Sequence, residues 1–180
     1  MAQAALGLVD EVVFVLPRVF PHKPYRGASF EERVELLRAA LAANPSISIA
    51  STNQGLFAEI AAACRSAYGA GPRLSFVCGR DAAERIVGWD YGRPGAIAEM
   101  LREFDLLVAN RGSVYEPPAE FASYVQRLTL PAGLEQVSAS EVREHIAQGE
   151  PWEHLVPPAI REAVLRIYSP TADSYSPLEK

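Results

Sequence analysis

The chain has 180 residues, of which 49% are hydrophobic and 22% charged, a balance typical of a packed globular protein. Its net charge of -5 argues against a nucleic-acid or membrane-surface partner, because both attract positively charged proteins. No stretch approaches the roughly 18 apolar residues of a membrane span, and the start has no signal-peptide pattern, so we expect a cytoplasmic protein. Cys64 and Cys78 have neither C-x-x-C spacing nor neighbouring histidines, which predicts reduced, buried thiols and no metal site.

Short apolar runs alternate with amphipathic stretches along the chain. Strands are predicted at 9–16, 47–50, 73–78, 105–109 and 127–130. Helices are predicted at 30–43, 55–68, after 79–81, at 95–103, from 138 to 149 and from 157 onwards. Two capping boxes, Ser29 with Glu32 and Ser138 with Glu141, mark two of the helix starts.

This alternation predicts an α/β fold, a doubly wound Rossmann-like parallel sheet with helices on both faces. Residues 1–170 are expected to form one domain, and the polar residues 171–180 a flexible tail. In such sheets ligands bind beyond the carboxyl ends of the strands. The polar residues that follow the strands are therefore the first candidates for a functional site.

The segment from Ser138 to Arg143 puts two hydroxyls, those of Ser138 and Ser140, at a helix start and a guanidinium one turn along. Unbonded amides and the helix dipole favour an anion there, and arginine binds phosphate through two hydrogen bonds. The segment therefore has two interpretations, a phosphate site or a common capping box followed by a surface arginine.

The loop after the first strand contains His22 and Lys23 between two prolines, which would stiffen it. Lys23 could neutralise phosphate charge there, or both side chains could simply be solvated. Arg111, after the strand at 105–109, also faces either phosphate or water.

Gly79 and Asp81 follow the strand at 73–78, and Trp89 comes eight residues after Asp81. Glycine permits close approach of a ligand, a carboxylate can bond a ribose hydroxyl, and an indole offers a stacking face. Alternatively, Asp81 caps a helix and Trp89 lies in the core.

Taken in order, these segments resemble bacterial nicotinate mononucleotide adenylyltransferases and their relatives in the cytidylyltransferase-like superfamily. Residues 8–23 resemble the family's second strand and its proline-histidine-lysine loop, and Ser138, Ser140 and Arg143 match its I-S-S-T-x-I-R motif. Gly79, Asp81 and Trp89 match the segment that approaches ATP and the pyridine nucleotide. The ordered set favours the phosphate interpretation over the capping box alone.

Two departures from the family pattern affect what we expect. The opening strand, glycine-rich turn and H-x-G-H motif of the family would precede this sequence, and residues 1–6 resemble the end of the following helix. We therefore expect a sheet without its first, central strand. Thr52 begins a segment where the family usually shows serine-tyrosine-threonine, so the acceptor is left open.

The resemblance implies transfer of an adenylyl group from ATP, with Mg²⁺, to a mononucleotide such as nicotinate mononucleotide in NAD biosynthesis, releasing pyrophosphate. It implies Lys23 and Arg143 as catalytic charge-neutralising residues. It further implies that one set of residues binds ATP (Gly79, Asp81, Arg111, Ser138, Ser140, Arg143) and another the acceptor (His22, Lys23, Thr52, Trp89). The alternative is a non-catalytic nucleotide-binding module or an inactive fragment, and an unpaired sheet edge would favour homo-oligomers.

Overall fold

The computed structural model describes residues 1–18, 27–53, 55–109, 114–131 and 137–169. Within these ranges the strands are β1 (Val12–Pro17), β2 (Ile47–Thr52), β3 (Ser75–Gly79), β4 (Asp105–Ala109) and β5 (Val125–Leu128). The α-helices are α1 (Ala2–Ala5), α2 (Phe30–Leu41), α3 (Phe57–Tyr68), α4 (Arg80–Gly88), α5 (Ala96–Glu103), α6 (Ala139–Gln148) and α7 (Arg161–Tyr168). Three 3₁₀ helices span Ala119–Tyr124, Glu153–Leu155 and Pro158–Ile160.

The strands form two parallel sheets. β1 pairs with β2, from Val12 opposite Ile47 to Pro17 opposite Thr52. The second sheet has the order β3-β4-β5, with Gly79 level with Ala109. Among the described residues no strand joins β1 to β3. The absence of the first, central strand stays a prediction.

The chain divides into two compact units, and each has its own core. Unit 1 is built from Met1–Lys23 and Ser46–Gln136 and contains both sheets; unit 2 is built from Pro24–Pro45 and Val137–Lys180. The single domain at 1–170 stays a prediction.

The core of unit 1 is organised by β4, whose residues alternate between two faces. Leu106 and Val108 pack in one cluster with side chains of α3, α4 and α5. Leu107 and Ala109 pack in another with Ala5 of α1. Because successive side chains of a strand point to opposite faces, a strand covered on both sides is apolar throughout. The predicted Rossmann-like α/β fold is confirmed, with parallel strands and helices on both faces.

Unit 2 has a smaller core, formed where α6 and α7 pack together. Its buried residues are Val142, Ile146, Trp152 and Val164. Leu36 of α2 packs against this cluster, so the helix that opens at Ser29 belongs to the same unit.

Most predicted elements are present, with shifted ends. β4 has the predicted bounds, and Gly149 ends α6 in the left-handed conformation that glycine favours (φ 69°). β1 begins at Val12 and not at Val9, because residues 6–8 form a turn and Val9 packs against the buried cluster that includes Ala5 and Leu107. β5 begins two residues earlier than predicted, directly after the 3₁₀ helix at Ala119–Tyr124. No helix in the described ranges is long and apolar enough to cross a membrane.

Replacing Leu106 with alanine should lower the free energy of unfolding by about 2 to 5 kcal/mol, because the side chain is fully buried and its loss leaves a cavity. Leu8→Ala is the matched control, since Leu8 is 48% exposed, and should change stability by less than about 0.5 kcal/mol. Urea denaturation measures both. Equal effects would contradict the assignment of β4 to the core.

Candidate functional site

The carboxyl ends of the unit 1 strands carry two of the predicted residues, Thr52 and Gly79. Thr52 is the last residue of β2 and is half-buried; its carbonyl accepts a hydrogen bond from the Arg18 amide at 2.9 Å. Gly79 ends β3 and is the N-cap of α4. Since β1 and β2 are paired in parallel and end level, Pro17 and Thr52 lie on the same edge of their sheet.

Gly79 has an ordinary extended backbone, with φ at -84°. A Cβ built at this position would have no neighbour within 4 Å among the described residues. Neither backbone conformation nor packing therefore requires glycine here. The absent side chain instead leaves open space beside the first turn of α4.

Asp81 lies in the first turn of α4, and its side chain is 85% exposed. The helix has no side-chain cap, so the alternative in which Asp81 caps it is wrong. Arg80 lies between two carboxylates, with its Nε 3.1 Å from Glu84 and 3.8 Å from Asp81. The start of α4 therefore presents a carboxylate to solvent beside a guanidinium.

Trp89 immediately follows α4 and is 60% exposed, so the alternative that places it in the core is also wrong. Together with Asp81, Glu84, Arg85 and Gly88 it lines an open groove of about 420 Å³. The structure thus brings Asp81 and Trp89, at the two ends of α4, to the same groove. The groove combines an aromatic surface with both signs of charge.

Two contacts that the sequence analysis did not predict hold this groove in shape. The Tyr91 hydroxyl donates a hydrogen bond to the Ile86 carbonyl at 2.9 Å, which ties the chain after Trp89 back to α4. Arg85 donates from Nε to the Asp81 carbonyl at 3.1 Å. Both are side-chain to backbone bonds, for which the sequence offers no pattern.

In unit 2, Ser138 begins α6 with a complete capping box. Its Oγ accepts a hydrogen bond from the Glu141 amide at 3.1 Å, and a Glu141 carboxylate oxygen accepts one from the Ser138 amide at 3.2 Å. In the described part of the chain, the amides of Ala139 and Ser140 have no hydrogen-bond acceptor. Two backbone donors at the positive end of the helix are therefore available to an anion.

Arg143 lies one turn along α6 and is exposed. Its Nη2 donates a hydrogen bond to Ser140 Oγ at 3.1 Å, and its guanidinium lies 6.0 Å from the centre of the Tyr168 ring. The structure therefore brings Ser138, Ser140 and Arg143 together at one helix end, as predicted for a phosphate site. Whether they bind phosphate stays a prediction.

The remaining predicted residues, His22, Lys23 and Arg111, lie outside the described ranges. Cys78, the residue before Gly79, is buried, and burial raises the pKa of its thiol to about 11. A thiol with this pKa is almost fully protonated near neutral pH, so Cys78 is unsuited to act as a nucleophile.

The chain is similar over most of its length to known proteins. A probable nicotinate-nucleotide adenylyltransferase of Chromohalobacter salexigens is 28% identical over 185 residues, covering 87% of this chain and 80% of that protein. One of Trichlorobacter lovleyi is 27% identical, covering 94% and 89%. One of Treponema pallidum (strain Nichols) is 28% identical, covering 87% and 82%. No protein-family profile matches the chain.

Solved structures show the same fold. The nicotinic acid mononucleotide adenylyltransferase of Plasmodium falciparum in complex with NaAD has a TM-score of 0.65 at 14% identity, covering 91% of this chain and 84% of that one. Its complex with APC gives the same TM-score at 13% identity. Fold and sequence together make the chain similar to α/β proteins of the nucleotidyltransferase class.

Within that class the chain is similar to nicotinate-nucleotide adenylyltransferases, and the resemblance read from the sequence is confirmed. The similar proteins are named as enzymes that transfer adenylyl groups, which agrees with the predicted reaction class.

Replacing Ser138 with alanine removes the N-cap of α6 and should lower the free energy of unfolding by about 1 kcal/mol. The control is Ser140→Ala, which removes an exposed hydroxyl in the same turn that does not cap the helix and should cost less than about 0.5 kcal/mol. Thermal unfolding followed by circular dichroism compares the two. A larger loss in Ser140→Ala would contradict the observed capping geometry.

Proposed function

We propose that this chain transfers the adenylyl group of ATP to nicotinate mononucleotide and releases pyrophosphate. The observation that carries the proposal is the start of α6, where two hydroxyls, two available backbone amides and an arginine converge. These residues occur in the order of the family's phosphate-binding motif. Similarity to proteins named nicotinate-nucleotide adenylyltransferase over at least 80% of their length supports the same reaction.

In this reaction an oxygen of the acceptor's phosphate attacks the α-phosphorus of ATP. The bond from the α-phosphorus to the bridging oxygen breaks, and the electron pair leaves with pyrophosphate. No covalent enzyme intermediate is needed, so the protein contributes positioning and charge neutralisation. This explains why the candidate residues are hydroxyls, helix amides and cations, and why the buried thiol of Cys78 has no role.

The hydroxyls at α6 are suited to the triphosphate end of ATP. In the observed bonds Ser138 Oγ and Ser140 Oγ each act as acceptors, and a hydroxyl also has one hydrogen to donate. Together with the helix dipole and Arg143, they would bind phosphate oxygens whose charge increases as pyrophosphate leaves. Lys23 would add a further cation.

The groove beside Trp89 is suited to the acceptor. The exposed indole would stack on a pyridine ring, and Asp81 would accept hydrogen bonds from a nucleotide's hydroxyls. His22 and Thr52 would make further polar contacts, and Gly79 and Arg111 would contact ATP.

Mg²⁺ fits this scheme as an ion that arrives with the nucleotide. In the described part of the chain no three potential ligands cluster to hold a metal. Mg²⁺ is commonly bound by one or two carboxylates together with substrate phosphates, and the exposed Asp81 is a candidate carboxylate. The ion would supply neutralisation of the pyrophosphate charge.

A second candidate function is nucleotide binding without transfer. It is favoured by the arrangement of the described strands in two separate sheets, because a doubly wound fold binds its ligand at the switch point of one sheet. ATP binding without pyrophosphate release would support this alternative.

Pyrophosphate release with ATP, Mg²⁺ and nicotinate mononucleotide tests the proposal. Arg143→Ala should lower kcat/KM about a hundredfold or more, because it removes a charge that stabilises the transition state. Arg102→Ala is the control, since Arg102 is an exposed arginine of α5 in unit 1, and it should leave turnover unchanged. A folded Arg143→Ala protein with full activity would show that the phosphate assignment is wrong.

Trp89→Leu should raise the KM for the mononucleotide about tenfold, because base stacking on an aromatic ring is lost, and should leave the KM for ATP and the thermal stability almost unchanged. The other tryptophan gives a matched contrast: Trp152 is 6% exposed, so Trp152→Leu should lower the melting temperature. Steady-state kinetics and thermal melts measure both. An unchanged KM for the acceptor in Trp89→Leu would remove Trp89 from the site.

A further inference from the structure

The guanidinium of Arg143 contacts two neighbours, Ser140 and Tyr168. Ser140 Oγ accepts a hydrogen bond from its Nη2 at 3.1 Å, and the ring of Tyr168 lies 6.0 Å from its central carbon. We propose that Tyr168 is a positioning residue that holds Arg143 ready for the phosphates of the nucleotide. The inference rests on the proposed function, because it assigns a role to a residue that acts through Arg143.

Tyr168 is well placed to act in this way, because it is anchored on one side. It is the last residue of α7, and it packs against the buried cluster that includes Val142 and Ile146. These two residues lie on α6 on either side of Arg143 in sequence, and they fix the spacing of the two helices. The ring thus connects the core of unit 2 to an exposed cation.

The charge around Arg143 differs from that around several other arginines of the chain. Arg73, Arg80 and Arg93 each pair with a carboxylate. No carboxylate pairs with Arg143 among the residues that the structure describes. Its neighbours three and four residues away on α6 are Ala139, Ser140, Ile146 and Ala147, none of them acidic.

An aromatic ring and a carboxylate have different consequences for phosphate binding. A carboxylate would occupy the N–H groups of the guanidinium and cancel its charge. A ring attracts the cation and leaves its charge in place. When the flat face of the guanidinium contacts the ring, the N–H groups at the edge of the guanidinium remain available for phosphate. Tyr168 thus limits the rotamers of a long side chain without competing with the ligand, which reduces the cost of ordering it on binding.

The affinity of the full chain for ATP, measured by isothermal titration calorimetry, tests the inference. Tyr168→Leu should weaken binding about two- to fivefold, the range expected for an exposed cation–π contact. Tyr168→Phe keeps the ring and should bind as the unchanged protein does. Leu165→Ala is the matched control, because Leu165 lies on the same helix and is 46% exposed, and it should have no effect. In an Arg143→Ala background, Tyr168→Leu should cause no further loss.

The contact itself can be measured without a nucleotide. The Nε–H resonance of Arg143, identified by its loss in Arg143→Lys, should be shifted by the ring current of Tyr168. The shift should persist in Tyr168→Phe and disappear in Tyr168→Leu. A resonance that does not respond to Tyr168→Leu would overturn the inference.

The calorimetric results separate this inference from the proposed function. If Arg143→Ala weakens ATP binding and Tyr168→Leu does not, Arg143 binds phosphate and Tyr168 does not position it. If neither variant changes ATP binding, or the unchanged chain binds no ATP, the phosphate assignment fails and the role of Tyr168 fails with it. Loss of affinity in Tyr168→Phe as great as in Tyr168→Leu would assign the effect to the hydroxyl and overturn a role for the ring.

Discussion

The burial of β4 on both faces is the constraint on which unit 1 depends. Its alternate residues supply two separate clusters, one under α3, α4 and α5 and the other under α1. Because β3 and β5 both pair with β4 in parallel, the ends of all three strands are fixed by its register. Gly79 and the start of α4 are therefore placed by the core, although both lie at the surface.

In unit 2, the core likewise places α6. The capping box that stabilises this helix and the proposed phosphate site lie at the same helix end. The capping box satisfies the amides of Ser138 and Glu141, while Val142 and Ile146 attach the helix to its core. The amides of Ala139 and Ser140, between the two capped positions, have no acceptor among the described residues. A capping box and an anion site are therefore compatible on one helix, and the two interpretations of this segment do not exclude each other.

Much of the fold follows from local patterns in the sequence. β4 has the predicted bounds because a strand that is buried on both faces needs apolar residues at successive positions. The apolar run in the sequence therefore coincides with the strand. The box at Ser138 and the glycine at 149 fix α6 in the same way. The start of β1 was less predictable, because Glu11 is bonded to Ser48 and Tyr68, partners 37 and 57 residues away.

The residue types of the candidate site could be predicted from the sequence, but the exposure of each side chain to solvent was less predictable. Trp89 follows an amphipathic helix, and neither its type nor its spacing shows whether the indole turns to the core or to solvent. The structure places Trp89 outside and Trp152 inside. The contact between Tyr168 and Arg143 has no local signal either, since it joins the ends of two helices that are adjacent only because their apolar faces share one core.

The charge distribution explains what kind of recognition this chain could use. With a net charge of -5, it has no long-range field that would attract a polyanion. Exposed charges act over about 8 to 10 Å at physiological ionic strength, so an anionic ligand must be bound by groups that it touches. Several arginines are already paired with carboxylates, whereas Arg143 contacts a hydroxyl and an aromatic ring and has no carboxylate partner in the described part of the chain. An acidic protein thus retains a local positive site, at a helix end where the dipole adds to it.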